Sequence, residues 1–295
     1  MEKFSNWRDK GTGIAPFLPN TITGPSTVSK GLHFVWYAVK MVLLLPVMLV
    51  VMVIGDKFWH RFIFRVLYGY REDITVVGVK RRQVVPWQHY PLRNNIYVAN
   101  ASSPWDGIVL SLIAEGPSVF LVPNGGVFYR MNTEQYYSFA ISGSLDAKKY
   151  GKEVASINEC KDRVVFMFLE GTCSNGKSVL PFEVTSKQLD QFLYGADERD
   201  VPEKDRRQLF TVQVKINSSL VTPLGIARKD YFFRSIMKGV KMKIKISHEP
   251  FSSRNLDALR AALMDGDKYK LVSKSLGLEA KRKFAADFYA KRPVK

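Results

Sequence analysis

Cysteine is almost missing from this chain. Cys160 and Cys173 are the only two among 295 residues, too few for a disulfide framework or a cysteine-built metal cluster. Two free thiols suit a reducing compartment. There is no zinc-ligand spacing, no RNP-like aromatic motif and no helix-turn-helix pattern, so the usual footprints of a nucleic-acid binder are lacking. No metal and no permanently bound cofactor are expected. The first 30 residues are polar, with several Gly and Pro, and have neither a basic-then-apolar start nor a small-residue cleavage site, so no removable signal peptide is expected. Internal repeats are also lacking. Acidic residues are scarce, 27 Asp and Glu against 44 Lys and Arg, giving a net charge of +17. That surplus calls for an anionic partner: nucleic acid, lipid headgroups or a phosphorylated substrate. Without nucleic-acid footprints, membrane lipid is the expected partner.

What the chain does have is a hydrophobic fraction of 46%, enough for one sizeable α/β domain with appendages. Residues 32–54 are apolar on every face, interrupted only by His33, Lys40 and Pro46, and about 20 such residues reach across a bilayer. Pro46 divides the run, which either crosses once with a kink or turns back as a hairpin. Next, Phe58, Trp59, Phe62, Ile63, Val66 and Leu67 share one helical face, with His60, Arg61 and Arg65 opposite. This is either an interfacial helix or an amphipathic helix of the domain. More basic residues follow the apolar run than precede it, which places the C-terminal side in the cytosol.

Beyond residue 72, short β runs at 74–79, 96–100, 118–122, 164–169, 210–216, 220–224 and 240–246 alternate with helical patterns after the second and third. The expected fold class is α/β: a mixed, largely parallel sheet covered by helices, with an N-terminal membrane-anchoring helical segment. The expected division is a polar segment at 1–31, an anchor and interfacial helix at 32–71, and the α/β domain at 72–295. Function should collect beyond the carboxyl ends of the strands, where Asn100 and Glu170 fall. Residues 189–208 read as a charged loop or insertion. Two amphipathic helical segments flank 266–270.

Two blocks carry the chemistry. Residues 164–176 read as an apolar β run, then Glu170-Gly171-Thr172-Cys173-Ser174-Asn175-Gly176. Gly171 would let a phosphate approach the backbone, Thr172 and Ser174 offer hydroxyls, and Asn175-Gly176 favours a turn exposing N–H donors, with Glu170 orienting those donors. Upstream, Ser103-Pro104-Trp105-Asp106 has the form of a capped helix start, and that alone would account for Asp106. Together the blocks resemble the glycerolipid acyltransferases, the family of lysophosphatidic acid and glycerol-3-phosphate acyltransferases, whose motifs are His-x4-Asp and Phe-Pro-Glu-Gly-Thr. Asp106 matches the first and 168–172 the second, with Leu169 at the proline position and Ala101 at the histidine position.

The resemblance implies transfer of a fatty acyl group from acyl-CoA, as co-substrate, to lysophosphatidic acid, giving phosphatidic acid. It assigns Asp106, Ser102 and Glu170 to catalysis. Asn100, Lys148, Lys149, Gly171, Thr172, Ser174 and Pro223 fall to substrate binding. Lys148 and Lys149 stand near the family's middle motif, where lysine lacks arginine's bidentate fork, and equally suit a solvated pair. Cys173 reads as an acyl carrier or an inert thiol. His89 precedes the strand that Asn100 ends, and at about 3.3 Å per residue it stands some 20 Å from the site edge, a poor substitute base. Residues 6–20 and 266–274 resemble, more closely, a branch of the family that also lacks the motif histidine. That likeness implies a protein of the endoplasmic reticulum membrane and lipid droplet. The missing base leaves a second reading open: a non-catalytic lipid-binding or scaffold protein on the same fold.

Overall fold

The computed structural model describes residues 4–20, 26–54, 57–195, 208–253, 255–264 and 270–291. Helices α1 (Thr27–Ile54) and α2 (Lys57–Tyr68) lead into β1 (Arg71–Val76), α3 (Pro86–His89), β2 (Ile96–Ala99), α4 (Pro104–Ile113), β3 (Ser118–Asn124), β4 (Val127–Met131), α5 (Thr133–Ile141) and β5 (Lys152–Val154). Then follow β6 (Val164–Met167), β7 (Ser178–Val179), α6 (Ser186–Tyr194), β8 (Leu209–Ile216), α7 (Arg228–Lys238), β9 (Lys241–Ile246), α8 (Leu256–Ala262), β10 (Lys270–Leu271) and α9 (Leu278–Lys291).

Eight strands form one sheet in the order β1-β9-β8-β2-β6-β3-β4-β5, and β7 pairs with β10 in a second, two-stranded sheet. The central β8-β2-β6-β3 pairings are parallel, while β8–β9, β3–β4 and β4–β5 are antiparallel. The expected mixed, largely parallel sheet with an N-terminal apolar helix is what the chain forms. Every residue of β2 and β6 is buried, as befits parallel strands covered on both faces. On one face Tyr97, Phe166, Phe120, Phe168 and Tyr136 form a continuous aromatic row, tightest where Tyr136 stacks on Phe168 at 4.4 Å between centroids. Offset pairs of this kind add about 0.5–1.5 kcal/mol each beyond their burial. The other face packs Val98, Leu121, Val165 and Met167 against Leu189, Phe192 and Leu259 of α6 and α8.

Some expectations need correction. Residues 220–224 are not a strand: the Thr222 amide donates to the Ser102 carbonyl at 2.9 Å, crossing over the end of the sheet instead of pairing along it. A hairpin intervenes before the helical pattern that follows β3. Its turn, Asn124-Gly125-Gly126, puts both glycines at positive φ (62° and 82°), the backbone that tight hairpin turns require. Part of the supposed loop at 189–208 is helix α6, capped by Thr185 and Gln188; residues 196–207 lie outside the described residues. So do 265–269, which include most of the 266–270 segment.

Helix α1 runs through Pro46 without a break, so neither a reversal nor an interrupted span occurs over its described length. Tyr37, Met41, Leu44, Met48 and Val51 form a stripe packed toward α2, and Tyr37 also meets Phe232 of α7 edge-on at 5.0 Å. Leu32, Val35, Trp36, Val39, Val42, Leu43, Leu49 and Val50 face outward and exposed. In α2, Ile63 and Leu67 are buried whereas Phe58 is exposed. Arg61 turns to the domain, donating to the Leu112 carbonyl and pairing with Glu72 at 3.1 Å. The N-terminal segment packs far along the chain: Phe4, Trp7 and Phe17 surround Phe284, and Asp9 accepts from the Thr12 and Ser273 amides. Exposed apolar surface of this extent marks an interaction face. Replacing Val39 and Leu43 together by glutamate should release the full chain from phospholipid vesicles in a flotation gradient, leaving its circular dichroism unchanged.

Candidate functional site

Parallel pairing of β2 with β6, in register from Ile96 with Val165 to Val98 with Met167, brings their carboxyl ends side by side. The chain then leaves both strands into loops that share two buried carboxylates. Glu170 Oε1 accepts the Ala101 amide at 3.2 Å, and Oε2 accepts the Leu180 amide at 2.8 Å. Asp106 Oδ2 accepts the Ser102 amide (2.7 Å), the Ser103 amide (2.8 Å) and the Ser102 hydroxyl (3.2 Å). Three consecutive amides, 101 to 103, thus hang on the two acids. The Ser103–Asp106 capping box is present at the start of α4. Asp106 Oδ1 is buried and has no hydrogen-bond partner among the described residues.

Burial raises Asp106 from 3.8 to about 7, against the pull of its hydrogen bonds from Ser102 and Ser103. It raises Glu170 from 4.5 to about 8, opposed by the Leu180 and Ala101 amides and by the Arg260 guanidinium. Arg260 is itself spent on the carbonyls of Leu180, Val179 and Val272, so it buttresses the segment that Glu170 grips.

A second cluster was not evident from the sequence. Lys281 of α9 is wholly buried and donates to Ser144 Oγ (3.0 Å), Thr172 Oγ1 (2.7 Å) and the Cys173 carbonyl (2.8 Å). Three donors meet three acceptors, which is the full capacity of an ammonium. Burial lowers its pKa to about 7, against the attraction of Cys173 and Glu170. Thr172 Oγ1 also donates to the Ser144 carbonyl at 2.7 Å, and Ser144 Oγ accepts the Cys173 amide at 2.8 Å. Next to this cluster Tyr136 lies over the first turn of α4, where any side chain on Gly107 would strike its ring. Its hydroxyl has no partner among the described residues and sits in the field of Cys173 and Asp106.

The expected residues do not all converge. Asp106, Ser102, Glu170, Thr172 and Ser174 do, every one at most 1% exposed. Asn100 is a brace: its amide donates to the Val214 carbonyl and accepts the Val214 N–H, extending the β2–β8 pairing. Gly171 adopts φ +64°, and the space a Cβ would need there is filled by the Pro123 carbonyl and the Glu183 side chain, so it serves close backbone packing and not phosphate approach. Ser174 Oγ donates to the Ser178 carbonyl. Pro223 is buried in the crossing loop, and Lys148 and Lys149 are exposed on the surface. Cys173 is a buried thiol pushed up to about 11, chiefly by desolvation, which suits an inert cysteine. His89 bonds to Val85 and faces His248 at the opposite end of the sheet.

No family model matches the chain. It is 40% identical over 291 residues to lysophosphatidic acid:oleoyl-CoA acyltransferase 1 of Saccharomyces cerevisiae, covering 98% of this chain and 97% of that protein. It is 26% identical over 284 residues to a putative lysophosphatidic acid:oleoyl-CoA acyltransferase of Schizosaccharomyces pombe, covering 86% and 87%. Among solved structures it is similar to the 1-acyl-sn-glycerophosphate acyltransferase PlsC of Thermotoga maritima, with 16% identity, a TM-score of 0.31 and coverage of 91% of this chain and 99% of that one.

The buried acids have a measurable signature. Their folded-state affinities for protons exceed the unfolded ones, so the folded chain binds more protons between about 4 and about 8 and loses stability as pH rises through that window. Urea midpoints should therefore fall from acid to neutral pH, and Asp106→Asn with Glu170→Gln should flatten the slope. Lys281 acts oppositely above about 7, and Lys281→Met should remove the compensating rise there. At neutral pH it should cost about 1–3 kcal/mol, as buried acceptors lose their donor.

Proposed function

The chain belongs to the lysophosphatidic acid:oleoyl-CoA acyltransferase family, and we propose that it transfers a fatty acyl group from acyl-CoA to the free hydroxyl of lysophosphatidic acid, producing phosphatidic acid and CoA at a membrane surface. The observation that carries this reading is Asp106: a buried carboxyl displaced toward neutrality, with one oxygen fixed by Ser102 and Ser103 and the other without a partner among the described residues.

A general base works best when its pKa lies near the working pH. Ala101 occupies the position of the family's motif histidine, and the four histidines of the chain lie elsewhere, on α1, on α2 and at the far end of the sheet. In this reading the free oxygen of ionised Asp106 takes the proton as the lipid hydroxyl attacks the thioester carbonyl. The C–S bond then breaks, and Asp106 returns the proton to the departing CoA thiolate. Glu170 does not touch substrate: its grip on the Ala101 and Leu180 amides holds the reacting loop. The Ser144–Thr172–Lys281 cluster supports phosphate recognition in place of the exposed Lys148 and Lys149 only by exchange, since Lys281 must release one of its three present acceptors to take a phosphate oxygen. Entry requires the 221–226 loop to lift, breaking the Thr222 to Ser102 and Ile226 to Ile141 backbone bonds.

Helix α1, laid along α2 and α7 with its outer face apolar, supports an anchor that rests the domain on the bilayer, with the basic surface in the cytosol. The resemblance of the chain's two ends supports placement at the endoplasmic reticulum and lipid droplets.

Purified protein supplied with oleoyl-CoA and lysophosphatidic acid tests the assignment. Asp106→Asn, which keeps the helix cap, should lower kcat by ~10²–10⁴, and Glu170→Gln should lower it as well. Equal turnover in all three proteins discards the roles. A second reading is favoured by the complete burial of the site residues: a lipid-binding protein that no longer turns over. It predicts retention on lysophosphatidic acid vesicles without product, and no gain from Ala101→His.

A further inference from the structure

The edge of the sheet formed by β1, β9 and β8 carries a groove of about 540 Å³ lined by Arg71, Lys215, Asn217, Lys241 and Lys243. Strand β9 alternates strictly. Met242, Ile244 and Ile246 enter the core shared with Phe64 and Tyr68 of α2, while Lys241, Lys243 and Lys245 stand exposed on the other face. Strand register sets Lys215 opposite Lys243 and Arg71 opposite Lys241, with Asp73 on the other side of Lys243 as the one acid in the row. Like charges directly opposite on a sheet are destabilising. Lysines often blunt an exposed sheet edge, but β9 is an interior strand with neighbours on both sides, so that explanation does not apply. Cations outnumber the acids here: Asp73 is shared between Arg81, at 2.9 Å, and the row of Lys243, and Glu72 pairs with Arg61 at 3.1 Å.

The groove also lies at the active end of the sheet. Strands β2 and β8 run parallel with Ala99 beside Val212, and Asn100 clamps Val214. Lys215 therefore follows directly on the residue tied to the strand that delivers Ala101 and Ser102. Across the sheet, neighbouring cations stand about 4.8 Å apart, and along a strand about 6.6 Å, a grid matched to several phosphates on one molecule. The outward apolar face of α1 lies beyond the opposite face of the sheet, so the grid looks away from the anchor and toward soluble ligands.

We propose that this groove binds the phosphates of the nucleotide moiety of acyl-CoA, its pyrophosphate and ribose phosphate spanning Lys215, Lys241 and Lys243 while the thioester arm passes Asn217 toward Asp106. The ligand named here rests on the acyltransferase reading; the anion site itself rests on the cation grid. The full chain in detergent, titrated calorimetrically with CoA, provides the test. Wild-type protein should bind CoA more tightly than 3′-dephospho-CoA. Lys241→Gln combined with Lys243→Gln, both on the exposed face of β9 and checked for an unchanged melting temperature, should weaken CoA binding about tenfold. The KM for oleoyl-CoA should rise by a similar factor, without change in kcat or in the KM for lysophosphatidic acid. Unchanged CoA affinity in the double variant overturns the proposal. So does loss of binding to phosphatidic acid vesicles with CoA affinity intact, which would give the face to headgroups. Wild-type protein that binds CoA through these lysines yet forms no phosphatidic acid would leave the groove standing and remove the acyltransferase reading.

Discussion

The arrangement depends on the carboxylate of Glu170. It spans the gap between two neighbouring strand ends, taking the amide of Ala101 from one and that of Leu180 from beyond the other. A buried amide left without an acceptor costs about 1–3 kcal/mol, so each of these contacts fixes a loop that has no ladder to hold it. Because Ala101 is fixed, Ser102 and Ser103 can present their amides to Asp106, and because Leu180 is fixed, Arg260 has carbonyls to grasp. The acid therefore acts on the geometry of everything around it while meeting solvent nowhere.

A second dependence runs through α9. Lys281 and Arg282 clasp the 144–145 region from adjacent positions, the first through Ser144 and the second through the Leu145 carbonyl at 3.0 Å. Arg282 also reaches Asn124 Oδ1 at 3.0 Å, so one turn of helix ties together the β3–β4 hairpin, the 143–147 loop and the loop after β6. An ammonium with three fixed acceptors holds these parts at definite distances, which a purely apolar contact would not.

Much of this was legible in the sequence where the signal is local. The capping box at Ser103 and Asp106, the doubly buried runs of β2 and β6, and the apolar length of α1 each follow from a few adjacent residues. What escaped reading depends on distant partners. Lys281 sits in an Ala-Lys-Arg-Lys stretch that looks like any solvated helix face, and only the packing of α9 over Thr172 makes it a core residue. Asn100 offers two hydrogen-bonding atoms at a strand end, which suits a ligand as well as it suits Val214. Gly171 between polar neighbours suits a phosphate against the backbone, yet Pro123 and Glu183 occupy the space that glycine leaves. The Asn124-Gly125-Gly126 turn, in contrast, is a hairpin signal carried by adjacent residues, masked by the helical period of 133–141 that follows so closely.

The packing of Phe4, Trp7 and Phe17 on Phe284 sets an order on biosynthesis. Residues that emerge from the ribosome early wait for partners made more than 250 positions later, and at about 5–20 residues per second that delay is some tens of seconds. For most of it α1 is already made, whereas the helix carrying Lys281 has yet to be translated. The apolar helix is thus complete before the polar interior can close, and the last segment to arrive sets the loops around Glu170 and Thr172.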